Sequence, residues 1–507
     1  MLFFVLMLAA AAVAYDRSYD SARDHILDFK ERTNESIGVL TTETGAPVSY
    51  KEASITLNKP LILNAHFMES INHIVTKNIP ERIVHAKGTG AFGTFTVTHD
   101  FTDVCMADFL SEVGKQTKIA VRFSTTTGEK GTSDLNRDIR GFSVKFYTND
   151  GNFDLVGINI PMFFYKDPHN FRSSVQGRRR NPSSNLMDIH TSWDFLSLLP
   201  ESLNTFLTVF SDRSIPVSYS NMRGHAIHTY QVVNKYGESS FCRFNCEPTA
   251  GFKTLTAQEA KKLSSADPDY LTRDLYRLIA DGDYPCWTLN AQVLNMTDVH
   301  KMGPDVFDAT KQISQKLFPP VPIGKFCLNR NAKNFFAEVE QMAFCPGNVV
   351  KGILGAPDKL YEARVLAYRA AQVHRLGGNF NKIPVNCPFQ TRTLTYNRDG
   401  VSPVGDNEGD APNYYPNSFN GPEPYSPEFE PSLIQIEETK ADNFEQSREL
   451  YAEDMTEDER VRLVNNLVES LAEVTDIVRV SLLKTFGKIH PDLRQRVAQG
   501  LNMTTCD

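Results

Sequence analysis

The chain has no hydrophobic run long enough to cross a bilayer. Its most apolar stretch, residues 1–14, is uncharged but too short to span, and no later run qualifies. No membrane partner is therefore expected. Long stretches of one charge sign are also missing: 53 Lys and Arg stand against 61 Asp and Glu, interspersed, for a net charge of -8. That balance leaves no footprint for nucleic acid. The one strong basic run, Arg178-Arg179-Arg180, reads as a solvated loop or a patch between subunits. No Cys-x-x-Cys pair suggests zinc. Each of the eight cysteines reads first as a small buried apolar residue, and no disulfide pattern follows from their spacing. Cys242 and Cys246, four apart, would share one face of a strand. There is no repeat of fixed period and no low-complexity tract.

What is present fits one large domain with appendages: 507 residues, 41% hydrophobic and 22% charged. The first stretch ends in Ala12-Val13-Ala14, which fits a signal peptide cut before Tyr15, although the basic n-region is missing. The mature protein is expected to be secreted. Sequons at Asn34, Asn295 and Asn502 are compatible with a glycoprotein, and the ending Thr505-Cys506-Asp507 is not a peroxisomal address.

Residues 15–74 are polar with little periodicity and read as an N-terminal arm, with one helix at 18–33 and no core of its own. From 75 to 330 strands dominate, at 119–124, 141–148, 153–164, 228–234, 240–246 and 286–295. Asn149-Asp150-Gly151-Asn152 is a hairpin signal between two of them. Helical inserts fall at 192–210 and 268–280. Many antiparallel strands with hairpins predict a closed barrel. Residues 331–440 are mixed. A helix is predicted over 358–376, with Asp358 at its start and Gly377 just past its end. The proline-rich 386–435 has no pattern and should wrap over something or be disordered. Residues 441–507 are helical again, with a capping box at Thr456 and Glu459 and a stripe of Leu463, Val464, Leu467, Val468 and Leu471.

Two stretches carry chemistry. Arg364 and Tyr368 lie four apart, so on a helix they share a face. A phenol gives up its proton only near pH 10, and a nearby guanidinium and a ferric ion together favour the phenolate. Some three hundred residues earlier stand Arg82, Val84 and His85, followed by Gly88, Gly90 and Gly93. Taken singly, Arg-x-x-x-Tyr is an ordinary helix face and a lone histidine is a structural residue.

Together with His374-Arg375-Leu376-Gly377, Val121-Arg122-Phe123-Ser124 and Pro161-Met162-Phe163-Phe164, these segments resemble the haem catalases of the monofunctional, small-subunit type. The resemblance runs from about residue 30 to the C-terminus. It implies an α+β fold: an antiparallel eight-stranded β-barrel with an arm, a wrapping segment and a C-terminal helical region, assembled as a homotetramer. It implies ferric haem b held by Tyr368, tyrosinate ligation being the known arrangement in catalases. Arg364 would pair with that phenolate, and Arg82, Arg122 and Arg375 would take the propionates. Val84, Phe163 and Phe171 would line the pocket and its channel. His85, oriented by Ser124, would move the proton of hydrogen peroxide between its two oxygens.

Departures from the family pattern are equally specific. Ile158, in Gly157-Ile158-Asn159-Ile160, stands where the family carries the Asn that donates to peroxide. Isoleucine cannot donate, and one lost donor typically costs on the order of 10²–10³ in turnover. Asn159 would point to the opposite face of a strand. Leu366, Arg369 and Ala370 replace the usual Phe, Pro and Asp. In the nucleotide pocket of some catalases Arg213 matches, but Glu247 and Asn204 stand for a lysine and a histidine, so bound NADPH is not expected. Three functions stay open: a secreted catalase with weakened turnover, a peroxidase or organic-hydroperoxide enzyme on the same fold, and a secreted haem-binding protein without turnover.

Overall fold

Among the described residues ten strands form one antiparallel sheet, and eight of them close on themselves. In chain order they are β1 (Gly88–Val97), β2 (Gln116–Thr125), β3 (Arg140–Thr148), β4 (Gly151–Ile158), β5 (Gly224–His225), β6 (Tyr230–Val233), β7 (Ser239–Pro248), β8 (Cys286–Leu294), β9 (Val321–Asn331) and β10 (Ile353–Gly355). The ring runs β1-β2-β3-β4-β5-β7-β8-β9 and returns to β1, because β7 pairs with β8 as well as with β5. β6 and β10 extend it on one side. Closure satisfies edge groups that an open sheet would leave exposed, and the predicted closed barrel is the fold observed. The structure is a computed structural model that describes residues 21–33, 35–54, 60–429, 431–435 and 442–504. The expected signal peptide, the start of the arm and the Asn34 sequon lie outside those residues.

The barrel is packed, not hollow. Phe123 stacks on Tyr219 at 4.8 Å, and Phe142 meets Trp287 edge-on at 5.5 Å. Because successive side chains on a strand alternate faces, filling the inside with Val121, Phe123, Phe142, Val144, Phe153 and Leu155 sends Arg122, Ser124, Ser143, Val156 and Ile158 to the outer wall. Most of those outer residues are still buried. The functional cavity must therefore lie between the barrel's outer face and whatever covers it.

The covering element is the helix Lys359–Leu376. Asp358 caps it by accepting from the Tyr361 amide at 2.8 Å, and the chain leaves it at Gly377, whose φ of +86° suits glycine. Several predicted boundaries shift for local reasons. β4 ends at Ile158 and not at 164: Asn159 turns its side-chain oxygen onto the Arg140 N–H at 2.8 Å, which occupies the next rung, and Pro161 has no N–H to offer. The helix predicted over 192–210 is two, His190–Ser197 and Leu203–Phe210, separated by a 3₁₀ turn that starts at Pro200. β8 stops at Leu294 because Asn295 caps the helix Met296–Met302 through a capping box with Asp298. β1 and β9 gave no strand signal; in β1, glycines at 88, 90 and 93 interrupt the apolar alternation.

The C-terminal helices Glu457–Leu471, Asp476–Ile489 and Pro491–Gly500 share an apolar cluster with Trp193, Leu207 and Phe210. The Thr456–Glu459 capping box is present, and Leu463, Val464, Leu467 and Leu471 are buried as the stripe predicts. Among the described residues of 386–435 there is no helix or strand. Cys286 and Cys327, directly opposite each other on β8 and β9, form a disulfide that the spacing did not reveal. Cys242 and Cys246 both lie on β7 and are buried as free thiols.

The segment up to Pro80 forms a unit of its own. It holds the helix Ala22–Arg32, capped by Ser21, and two helices with no sequence signal, Tyr50–Ala53 and Ala65–Thr76. None of its described hydrophobic residues is buried, and Ile26, Ile62 and Val75 are more than half exposed.

Candidate active site

A cavity of about 300 Å³ lies between the outer faces of β2, β3 and β4 and the helix Lys359–Leu376. All the residues expected to act on peroxide or hold the haem reach it, and so does Ile158: Arg82, Val84, His85, Arg122, Ser124, Ile158, Phe163, Phe171, Arg364, Tyr368 and Arg375 line its wall. They come from stretches nearly three hundred residues apart.

His85 sits on the barrel side. Its backbone holds φ at +67°, uncommon for any residue but glycine, and its N–H donates to Thr126 O at 3.0 Å. Its Nδ1 lies 3.0 Å from Ser124 Oγ, which leaves Nε2 for the cavity. The imidazole rests against Gly141, where a Cβ would come within 2.8 Å of Nδ1. Burial, then the charges of Arg122 and Arg364, push the His85 pKa down to about 3, so the ring is neutral and able to accept a proton.

Arg364 and Tyr368 face the cavity from the helix. Arg364 Nη2 donates to Tyr368 Oη at 3.2 Å and to Val156 O at 3.2 Å. Behind them, Asp358 spends its second oxygen on His228 Nδ1 at 2.8 Å. Burial raises the Asp358 carboxyl, but His228, the Tyr361 amide and Arg364 outweigh it and hold the group below its ordinary value. Sequence reading found Asp358 only as a helix cap and missed His228 altogether. No local signal marks His228, since its partner lies 130 residues away.

The third wall is cationic. Arg375 Nη2 donates to Glu340 Oε1 at 3.2 Å, and Arg82 Nη1 stands 3.7 Å from the same oxygen. Burial and mutual repulsion drive the Arg82 guanidinium well below its ordinary pKa, and burial brings Arg122 down to about 10. Arg82 Nη1, Arg122 Nε and Arg364 Nη1 are buried without a hydrogen-bond partner. Three guanidiniums around one carboxylate, with unspent donors, fit a flat dianionic group whose two carboxylates enter from this side. The residues present thus suit a haem: these guanidiniums would hold its propionates and Tyr368 would supply its protein ligand. Glu340 is a further participant that sequence reading missed.

The wall around Ile158 is apolar. Ile158 is 4% exposed and clusters with Ile139, Ile227, Phe163 and Phe164. The amide of Asn159 is spent elsewhere, accepting from Arg140 N–H and donating from Nδ2 to Ser214 O at 3.0 Å. Of the basic run, Arg178 and Arg179 are not a fully solvated loop: both line the cavity, directly after the helix Asn170–Gln176. Arg180 alone points away, paired with Glu129 at 2.7 Å. At the nucleotide-pocket positions, Glu247 pairs with Arg223 at 2.9 Å, Asn204 donates to Gln446 at 3.4 Å, and Arg213 donates to Asp454 O at 3.0 Å.

Known proteins share this architecture. A family model for catalase matches residues 41–421, and a model described as catalase-related immune-responsive matches residues 437–501. The chain is 43% identical to a catalase of Rattus norvegicus over 95% of its own length and 93% of the relative's. It is 40% identical to a catalase of Drosophila melanogaster, covering 96% and 98%. Among solved structures, a bacterial catalase superposes with a TM-score of 0.87 at 33% identity, covering 96% of this chain and 100% of the other. A fungal catalase gives 0.85 at 34% identity, covering 91% and 96%. With the closed barrel, the Tyr368–Arg364 pair and the His85–Ser124 pair meeting at one cavity, the chain belongs to the catalase family, whose members use haem.

Proposed function

We propose that this protein decomposes hydrogen peroxide at the cavity between His85 and Tyr368, with turnover held down by Ile158. The observation that carries the reading is the neutral His85 imidazole, hydrogen-bonded to Ser124 at 3.0 Å, facing the same cavity as the Arg364–Tyr368 pair. Bound haem would supply the Lewis acid and redox chemistry. Tyr368 would be its ligand, Arg364 would hold the phenolate charged, and Arg82, Arg122 and Arg375 would hold the propionates. His85 would take a proton from one peroxide oxygen and return it to the other as their bond breaks. The charge that develops on the departing oxygen meets Ile158, which offers no hydrogen bond, and Asn159 is committed to Arg140 and Ser214. Proton transfer is retained and charge stabilisation is lost, so cleavage is slowed and not abolished.

The experiment is oxygen release measured beside guaiacol oxidation, on the purified holoprotein and on Ile158→Asn. Restoring the donor should raise oxygen release about ten- to a thousandfold. A wild-type rate equal to that of its catalase relatives, unmoved by the substitution, would sink the proposal.

Three further elements belong to the reading. Secretion after cleavage at Ala14 is supported by the apolar leader and by the Cys286–Cys327 disulfide, a bond favoured in oxidising compartments. Exported protein should begin at Tyr15 on N-terminal sequencing; one that begins at Met1 refutes cleavage. A homotetramer is supported by the arm, whose apolar side chains need a partner surface. Lack of bound NADPH is supported by Glu247, a carboxylate where a phosphate would want a cation.

A further inference from the structure

Hydrogen peroxide is small and polar, and it needs neither a broad apolar wall nor cations at the cavity mouth. This cavity has both. Ile139, Ile158, Ile227, Phe163 and Phe164 make the wall. Ile227 keeps a φ of +70°, a costly conformation for a β-branched side chain, which persists only where the surroundings impose it.

The cations are Arg178 and Arg179. Arg178 is anchored by Nε to Ser174 O at 3.0 Å and by Nη2 to Ser174 Oγ, and its guanidinium lies 4.5 Å above the Phe164 ring. Its Nη1 has no hydrogen bond among the described residues. Arg179 donates from Nη2 to Ile83 O. Among the described residues no carboxylate oxygen comes within 4.0 Å of either guanidinium, whereas the neighbouring Arg180 has Glu129. The carboxylate that acts on Arg178, Asp138, is already engaged by the amides of Thr126, Thr127 and Ile139 at 2.7, 2.7 and 2.8 Å. Glu129, which acts on Arg179 at longer range, is paired with Arg180. Two hydrogen-bonded guanidiniums with no carboxylate oxygen in direct contact, lining a pocket beside apolar side chains, are a receptor for a carboxylate on an apolar chain. Ile83, which holds Arg179, is only two residues from His85, so the cationic end and the His85 ring are on the order of 10 Å apart.

We propose that the cavity accepts an apolar hydroperoxide that bears a carboxylate, the carboxylate on Arg178 and Arg179 and the peroxide group at His85. This rests on the peroxide-cleaving reading and narrows its substrate. The O–O bond breaks; His85 takes the proton of the terminal oxygen and returns it to the alkoxide, and an alcohol leaves. Two phenols, each giving one electron and one proton, reduce the other oxygen to water.

The test uses the holoprotein and two readouts. In calorimetry, octanoate should bind, more weakly at high salt, and Arg178→Met should weaken it about tenfold or more, with Arg178→Lys in between. In kinetics with guaiacol as donor, linoleic acid hydroperoxide should be preferred over its methyl ester by about tenfold in kcat/KM, and Arg178→Met should bring that ratio to about one. An unchanged haem spectrum certifies each variant's fold. If peroxides are consumed but octanoate does not bind, or acid and ester react equally, the proposal is overturned and the peroxide-cleaving reading stands. If octanoate binds through Arg178 but no hydroperoxide or hydrogen peroxide is consumed, the binding site stands and the reading of the protein as a peroxide-cleaving enzyme falls.

Discussion

The two sides of the cavity are built differently. The helix side is a linked polar chain: His228 to Asp358, Asp358 to the helix N-terminus, and Arg364 to Tyr368, with spacings of 2.8, 2.8 and 3.2 Å. The barrel side keeps one polar pair, His85 with Ser124, and surrounds it with isoleucine and phenylalanine. The side that would hold the cofactor is a network of partnered polar groups, while the side that would hold the substrate sets one histidine in an apolar wall. Binding a cofactor and choosing a substrate thus fall to different elements of the fold.

The comparison can be broken at its strong side first. Tyr368→Phe removes the one phenol that the helix presents to the cavity, and the purified variant should lose haem or hold it far more weakly. An unchanged ferric absorption spectrum would show that the helix side does not supply the ligand. Next in size is the gain from Ile158→Asn, which asks whether the barrel side lacks anything but a donor. The smallest effect is a null one. His85 has a pKa of about 3 against its ordinary 6.5, so the neutral base persists as acid is added. Peroxide consumption should stay flat from about pH 8 down to about pH 5 and fall only as pH approaches 3. A midpoint near 6 would mean that His85 is more solvated than its cavity implies. Stability has the matching sign. Between pH 6.5 and 3 the unfolded chain binds the His85 proton and the folded chain does not, so this group favours unfolding increasingly as pH falls through that window.

The barrel was legible because strand alternation and the Asn149–Asn152 turn are local signals. β1 and β9 were not, because glycine makes β1 unlike a strand until β9 lies against it. Arg364 and Tyr368 were legible as a pair through helical spacing. His228 and Glu340 were illegible because their partners lie far along the chain, where no periodicity reaches. Arg178 and Arg179 show the reverse case: a charge run reads as a solvated loop until the fold sets two of its guanidiniums in a cavity wall.

What the sequence determined by itself is the chemistry available: a tyrosine one helical turn from an arginine, a histidine among glycines, and an isoleucine, which carries no donor, at 158. Residue identity and short spacing fix those, and both are properties of the chain. Only the tertiary structure decided what each group does. It buried His85 beside Arg122 and Arg364 so that the ring stays neutral, spent the Asn159 amide on Arg140 and Ser214, and set two surface-like arginines in the cavity wall. Desolvation, hydrogen-bond competition and charge proximity depend on distances between residues far apart in the chain, and only folding sets those distances.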